Sequence, residues 1–131
     1  MQLTKLKLTT EASNKLRALA GRTKMTPNLL CRLGFSLSLA EPRVPDPEVY
    51  PEEEREFNRY TLLGEHDAIY VALLRERCVQ DGLVDFRLED YFRAHINRGV
   101  DLLSRRIKTL SDLAEVAGRQ GAAGDASPAP L

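Results

Sequence analysis

Hydrophobic and polar residues alternate at the start of the chain. In Leu3-Thr4-Lys5-Leu6-Lys7-Leu8 the leucines at 6 and 8 fall on one face and the lysines at 5 and 7 on the other, the period of a short strand. The period then lengthens. Thr10 and Glu11 open a run in which Ala12, Leu16, Leu19 and Ala20 recur at helical spacing, predicting a first helix over about 10–20 that stops near Gly21. Thr26-Pro27 opens a second helix, because threonine accepts orphan amide bonds and proline at the first helical position loses none. Leu29, Leu30, Leu33 and Leu37, with the small Gly34 and Ser36, give that helix a wide apolar face, and it must end before Pro42.

Four prolines between Glu41 and Pro51 exclude regular helix or central strand there, so an exposed loop or arm is expected, continued by the charged Glu52–Glu56. Phe57 to Leu63 suits a short strand or an ordered loop. A third helix is predicted from Glu65 to about Gln80, with Ala68, Ile69, Ala72, Leu73 and Val79 as its buried stripe and Gly82 as its stop. A fourth, from Leu88 to Ile107, carries Tyr91, Phe92, Ile96, Val100, Leu103 and Ile107, and Gly99 marks a place where close packing requires the absence of a side chain. Thr109 can cap a short last helix containing Leu110, Leu113 and Val116. Together these elements predict a mainly α fold: a short N-terminal strand followed by a compact helical bundle, one domain over 1–117, then a Gly/Ala/Pro-rich tail over 118–131 whose composition predicts disorder.

Charge changes this picture. The 131 residues hold 19 basic and 19 acidic side chains, so the net is zero. Yet residues 1–40 set Lys5, Lys7, Lys15, Arg17, Arg22, Lys24 and Arg32 against the single acid Glu11, whereas 41–90 is strongly acidic. A basic end beside an acidic middle suits a protein that holds a polyanion with one surface and repels it, or binds a basic partner, with another. Cys31 and Cys78 sit in apolar helical patterns without metal-ligand spacing, which predicts buried thiols in a reducing compartment, and no run is apolar enough for a signal peptide or a membrane span. A cytoplasmic protein is expected.

The order strand, helix, turn, helix over the first forty residues is that of ribbon-helix-helix DNA binders, in which two subunits pair their strands and the start of the second helix holds a phosphate. On that layout Lys5 and Lys7 point outward, and the free amides at Thr26-Pro27-Asn28 lie at the positive end of a helix dipole flanked by Arg22 and Lys24. Strand lysines favour backbone contact over base reading. They also serve, equally simply, to guard an exposed strand edge. The candidate DNA-binding set is Lys5, Lys7, Lys15, Arg17, Arg22, Lys24 and Asn28. His66 and His95 lack a His or Cys partner at ligand spacing, and no phosphate-cradling glycine loop or nucleophile motif occurs, so neither a metal, a cofactor nor a catalytic residue is assigned.

The strings Leu30-Cys31-Arg32-Leu33-Gly34-Phe35-Ser36-Leu37-Ser38-Leu39-Ala40-Glu41-Pro42 and His95-Ile96-Asn97-Arg98-Gly99-Val100 resemble the DndE family of DNA sulfur modification proteins, over residues 1 to about 116. The resemblance implies a small helical protein of a bacterial DNA phosphorothioation system. It also implies a homotetramer that binds nicked duplex through surface lysines, Lys24 and Lys7 being the preferred pair here. The sulfur chemistry would belong to partners: a cysteine desulfurase, an ATP-pyrophosphatase-like subunit and an ATPase. The expected function is therefore a non-catalytic DNA-binding subunit of that machinery. A DNA nickase of the same pathway and a ribbon-helix-helix repressor stand as alternatives.

Overall fold

The computed structural model describes residues 4–107 and Glu115. A short strand β1 (Lys5–Lys7) leads into α1 (Thr10–Thr23) and α2 (Pro27–Ala40); β2 (Glu56–Asn58), α3 (Arg59–Leu63), α4 (Asp67–Gln80) and α5 (Leu88–Arg106) follow. The fold is mainly α, as the sequence predicts.

Local chemistry sets the helix starts. Thr9 Oγ1 accepts from the Ala12 amide at 3.0 Å and Thr26 Oγ1 from Leu29 at 3.4 Å, while Asn58 Oδ1 accepts from Tyr60 and Thr61 to begin α3. In α5, Glu89 and Asp90 lie in the first turn and Arg105 and Arg106 in the last, each complementing the helix dipole.

The centre of the molecule is the crossing of α2 and α5. Gly34 and Gly99 meet there backbone to backbone: a Cβ on Gly99 would lie 2.1 Å from the Gly34 carbonyl oxygen, and one on Gly34 2.8 Å from the Gly99 carbonyl carbon. Gly99 thus has the packing role its position in the apolar pattern suggested. Around the crossing, Phe35 makes edge contacts with Tyr70, Phe92 and His95, and Leu16, Leu19, Leu30, Ile96, Val100 and Leu103 are buried.

Four expectations change. The first helix does not stop near Gly21 but continues to Thr23. The residue that leaves the helix in the left-handed conformation is Lys24 (φ 63), whose amide donates to Ala20. Phe57–Leu63 is split, its first two residues strand and the rest helix, because Asn58 caps a helix where the apolar run suggested one element. The third helix begins at Asp67, after a 3-10 turn over Gly64–His66, and its buried face is Val71, Leu74 and Cys78. Ala68, Ile69, Ala72, Leu73 and Val79 face outward instead, with Ile69, Leu73 and Val79 at 58%, 50% and 60% exposure. Finally, β1 pairs antiparallel with β2 of the same chain, Leu6 opposite Phe57, rather than offering that edge to a second copy's strand. The last helix at 109–116 and the tail fall outside the described residues, Glu115 excepted.

The proline-rich loop, short of regular backbone pairing, is held by arginines. Arg77 Nη1 and Nη2 donate to the Leu39, Pro42 and Arg43 carbonyls, Arg98 Nη1 to Arg43, and Arg93 to the Tyr50 and Pro47 carbonyls. The loop is therefore ordered by side chains of α4 and α5.

Candidate nucleic-acid interface

Helical geometry divides the basic residues of α1 into two sets. Residues seven apart lie two turns above one another, so Lys15 and Arg22 share one flank, while Arg17 lies on the opposite flank and Lys24 stands just past the end of the helix. The first flank faces α5. Lys15 Nζ is held by Glu11 at 2.7 Å and by Asp101, and these hydrogen bonds, Asp101's first, raise its pKa; Arg22 Nη2 reaches the Ile107 carbonyl at 3.4 Å. The second flank is open: Arg17 is exposed and donates to its neighbour Asn14 at 2.9 Å, and Lys24 is exposed. Lys24 stands two residues before the α2 cap, so this flank runs into the first turn of α2, where Asn28 is half-buried.

Lys5 and Lys7 are exposed on β1. They share their face with a carboxylate, however: Glu56 Oε2 is 3.9 Å from Lys5 Nζ and residue 56 is the register partner of Lys7. The segment 53–55 also folds against the same region, with the Glu53 and Glu54 amides on the Leu8 carbonyl and Glu53 Oε1 accepting from Thr10. Charges separated along the chain are thus partly reunited in space.

A second basic grouping was missed by the sequence. Arg43 from the proline-rich loop, Arg98 and Arg105 from α5 line one pocket with Tyr50. Arg98 and Arg105 are seven residues apart and so share a helix face, a signal available in the sequence; Arg43 joins them only through the fold.

The thiols are buried as expected: burial pushes Cys31 up to about 12 and Cys78 up to about 11, where neither is a nucleophile at neutral pH. His95 is fully buried; burial first, then Arg98 and Arg77, lower its pKa to about 3, so the ring is neutral. Its Nδ1 is 2.8 Å from Ser38 Oγ, which also accepts from Arg98 Nε at 2.8 Å. Asn97 Oδ1 accepts from the Thr9 amide at 3.0 Å. The string His95–Val100 therefore ties α5 to α2 and to the start of α1. Among the described residues no three His, Cys, Asp or Glu side chains are grouped to hold a metal ion, and no helix is long and apolar enough to cross a membrane.

The family model described as "DNA sulphur modification protein DndE" matches residues 5–111. A similar solved structure is the crystal structure of DndE from Escherichia coli B7A, described as involved in DNA phosphorothioation modification. It has a TM-score of 0.64 and 25% sequence identity, covering 79% of this chain and 98% of the other. No curated protein sequence matches.

Proposed function

The chain belongs to the DndE family of DNA sulphur modification proteins, and from that premise we propose that it is a non-catalytic, DNA-binding subunit of a phosphorothioation machinery in the bacterial cytoplasm. The observation that carries the reading, beside the family, is the open flank of α1: Arg17 and Lys24 lead to the first turn of α2, where Pro27 has no N–H and the Leu29 and Leu30 amides bond to Thr26, leaving the amide and side chain of Asn28, with Arg22 and the outward Lys5 and Lys7 as further cations of the same segment. Lysines, a helix-start amide and a short polar side chain suit phosphate oxygens, so the contact grips a backbone and does not read bases. Lys15 contributes less, since two carboxylates hold it. Nicked duplex is the preferred form, because its flexibility allows both arms to reach more than one copy of the protein.

The active species is a homo-oligomer, a tetramer by likeness to the family, whose copies meet through the apolar outer face of α4. Other phosphorothioation proteins supply the sulfur chemistry, and this chain needs no cofactor. Residues 1–117 suffice for both roles. The test is binding of fluorescent intact and nicked duplexes across salt concentrations. Affinity should fall steeply, with a log–log slope of about 0.9 per phosphate neutralised, and Lys24→Gln should lower that slope by about one. Affinity indifferent to salt would overturn the proposal.

A further inference from the structure

Three arginines that the reading above leaves unused converge on a pocket of about 390 Å³ between the end of α2, the proline-rich loop and the last turns of α5. Arg43, Arg98 and Arg105 line it, with Tyr50 and two carboxylates, Glu41 and Asp101. Both carboxylates are committed. Asp101 lies between Lys15 and Arg105, and Glu41 Oε1 accepts from Arg106 Nη2 at 3.3 Å.

Arg105 is thereby paired with Asp101, but Arg98 and Arg43 are not matched in the same way. Arg98 gives three donors to uncharged acceptors, Ser38 Oγ and O at 2.8 Å each and the Arg43 carbonyl at 2.6 Å, and has no carboxylate partner among the described residues. A guanidinium has five N–H groups, so two remain. The Arg43 guanidinium makes no hydrogen bond or ion pair among the described residues, yet its backbone is fixed, because its carbonyl is gripped by Arg98 and by Arg77 Nη2 at 3.0 Å. Arg77's own charge is answered by Asp81. Burial raises the Tyr50 pKa, which keeps its hydroxyl protonated and able to donate. A recess with surplus guanidinium charge, anchored donors and a phenol is built for a tetrahedral oxyanion.

We propose that this pocket is an oxyanion site that takes a phosphate group, with Arg43 and Arg98 as its principal ligands and Arg105 and Tyr50 closing it. Its assignment to a phosphate of bound DNA rests on the DNA-binding reading; the anion chemistry does not. DNA would then contact the protein on two faces, the open flank of α1 and this pocket.

The experiment titrates inorganic phosphate into the full-length, ¹⁵N-labelled chain at constant ionic strength, following the Arg98 Nε–H resonance. A saturable shift is expected. Arg43→Gln should weaken phosphate binding about tenfold, the loss of one charge-assisted hydrogen bond, whereas Arg75→Gln, an exposed arginine on α4, should leave it unchanged. Duplex DNA should compete. A shift that grows linearly, or is equal in wild type and Arg43→Gln, overturns the pocket. Saturation without competition by bound DNA assigns the site to free phosphate or a phosphorylated small molecule and overturns its DNA assignment. A chain that binds phosphate but no DNA at all sinks the DNA-binding reading and leaves the pocket standing.

Discussion

Gly99 and Gly21 are both helical glycines, and their surroundings give opposite predictions. At Gly99 a methyl group would sit 2.1 Å from a carbonyl oxygen of α2, so α2 and α5 must separate across the centre of the core. Gly99→Ala should cost about 3 kcal/mol or more, at the upper end of overpacking, read as a fall in the urea midpoint. At Gly21 a Cβ would meet nothing within 4 Å, and Gly21→Ala should stabilise α1 by about 0.5–1 kcal/mol. His95 supplies a pH signature at the same scale. Its pKa is about 3 in the folded chain against 6.5 for a solvated histidine, so below pH 6.5 the unfolded chain binds a proton that the folded chain refuses. Stability should be fully present above pH 6.5. It should fall as pH drops, with a slope approaching about 1.4 kcal/mol per pH unit, and that contribution should level off only near pH 3. Urea unfolding between pH 7 and 5 should show this decline in wild type and much less of it in His95→Gln; equal slopes would show that the imidazole is not the group responsible.

At the scale of elements, the ends of α1 carry tension between folding and binding. Lys24 is held at φ 63, a conformation that favours glycine. Lys24→Gly should therefore stabilise the protein by about 1 kcal/mol while weakening DNA binding, two changes of opposite sign measured by thermal unfolding and by duplex titration. If Lys24 served only the turn, affinity would not move. The other end of α1 depends on α5, because the Thr9 amide is satisfied by Asn97 Oδ1, whose own amide group donates to the Arg93 carbonyl. The two strings that resemble the family are accordingly the two sides of one crossing. Ser38, Gly34 and Phe35 meet His95, Arg98 and Gly99, so the resemblance reports chiefly the packing of α2 against α5.

For the whole molecule, the outer face of α4 raises the question of assembly. Ile69, Ala72, Leu73 and Val79 share it and are exposed in the single chain. Leu73→Glu should lower the solution mass, by light scattering, without lowering the unfolding midpoint of the isolated subunit. A mutant mass equal to wild type would remove α4 from the proposed oligomer contact. If binding uses several copies, the same substitution should also reduce affinity for long duplexes more than for short ones.

The sequence by itself determined most of the elements, because strand alternation, threonine caps, Pro27 and Gly99 act over a few residues and mean the same thing in any fold. It also determined that the thiols are buried and that basic residues gather at the start of the chain. It could not determine direction around a helix axis. Ile69 and Leu73 look like core by spacing, but the pattern is the same whether an apolar face is covered by its own chain or lies open, and only the packing of Val71, Leu74 and Cys78 decides. Nor could it say that β1 would find its partner near residue 57, that Glu56 would come to stand beside Lys5, or that Arg43 would be carried to Arg98 and Arg105. Those are contacts between segments about 50 or more residues apart, decided by tertiary packing and not by local pattern. They divide the basic N-terminal segment into one open flank and one tied to α5, and outside that segment they assemble an arginine pocket that charge counting along the chain does not reveal.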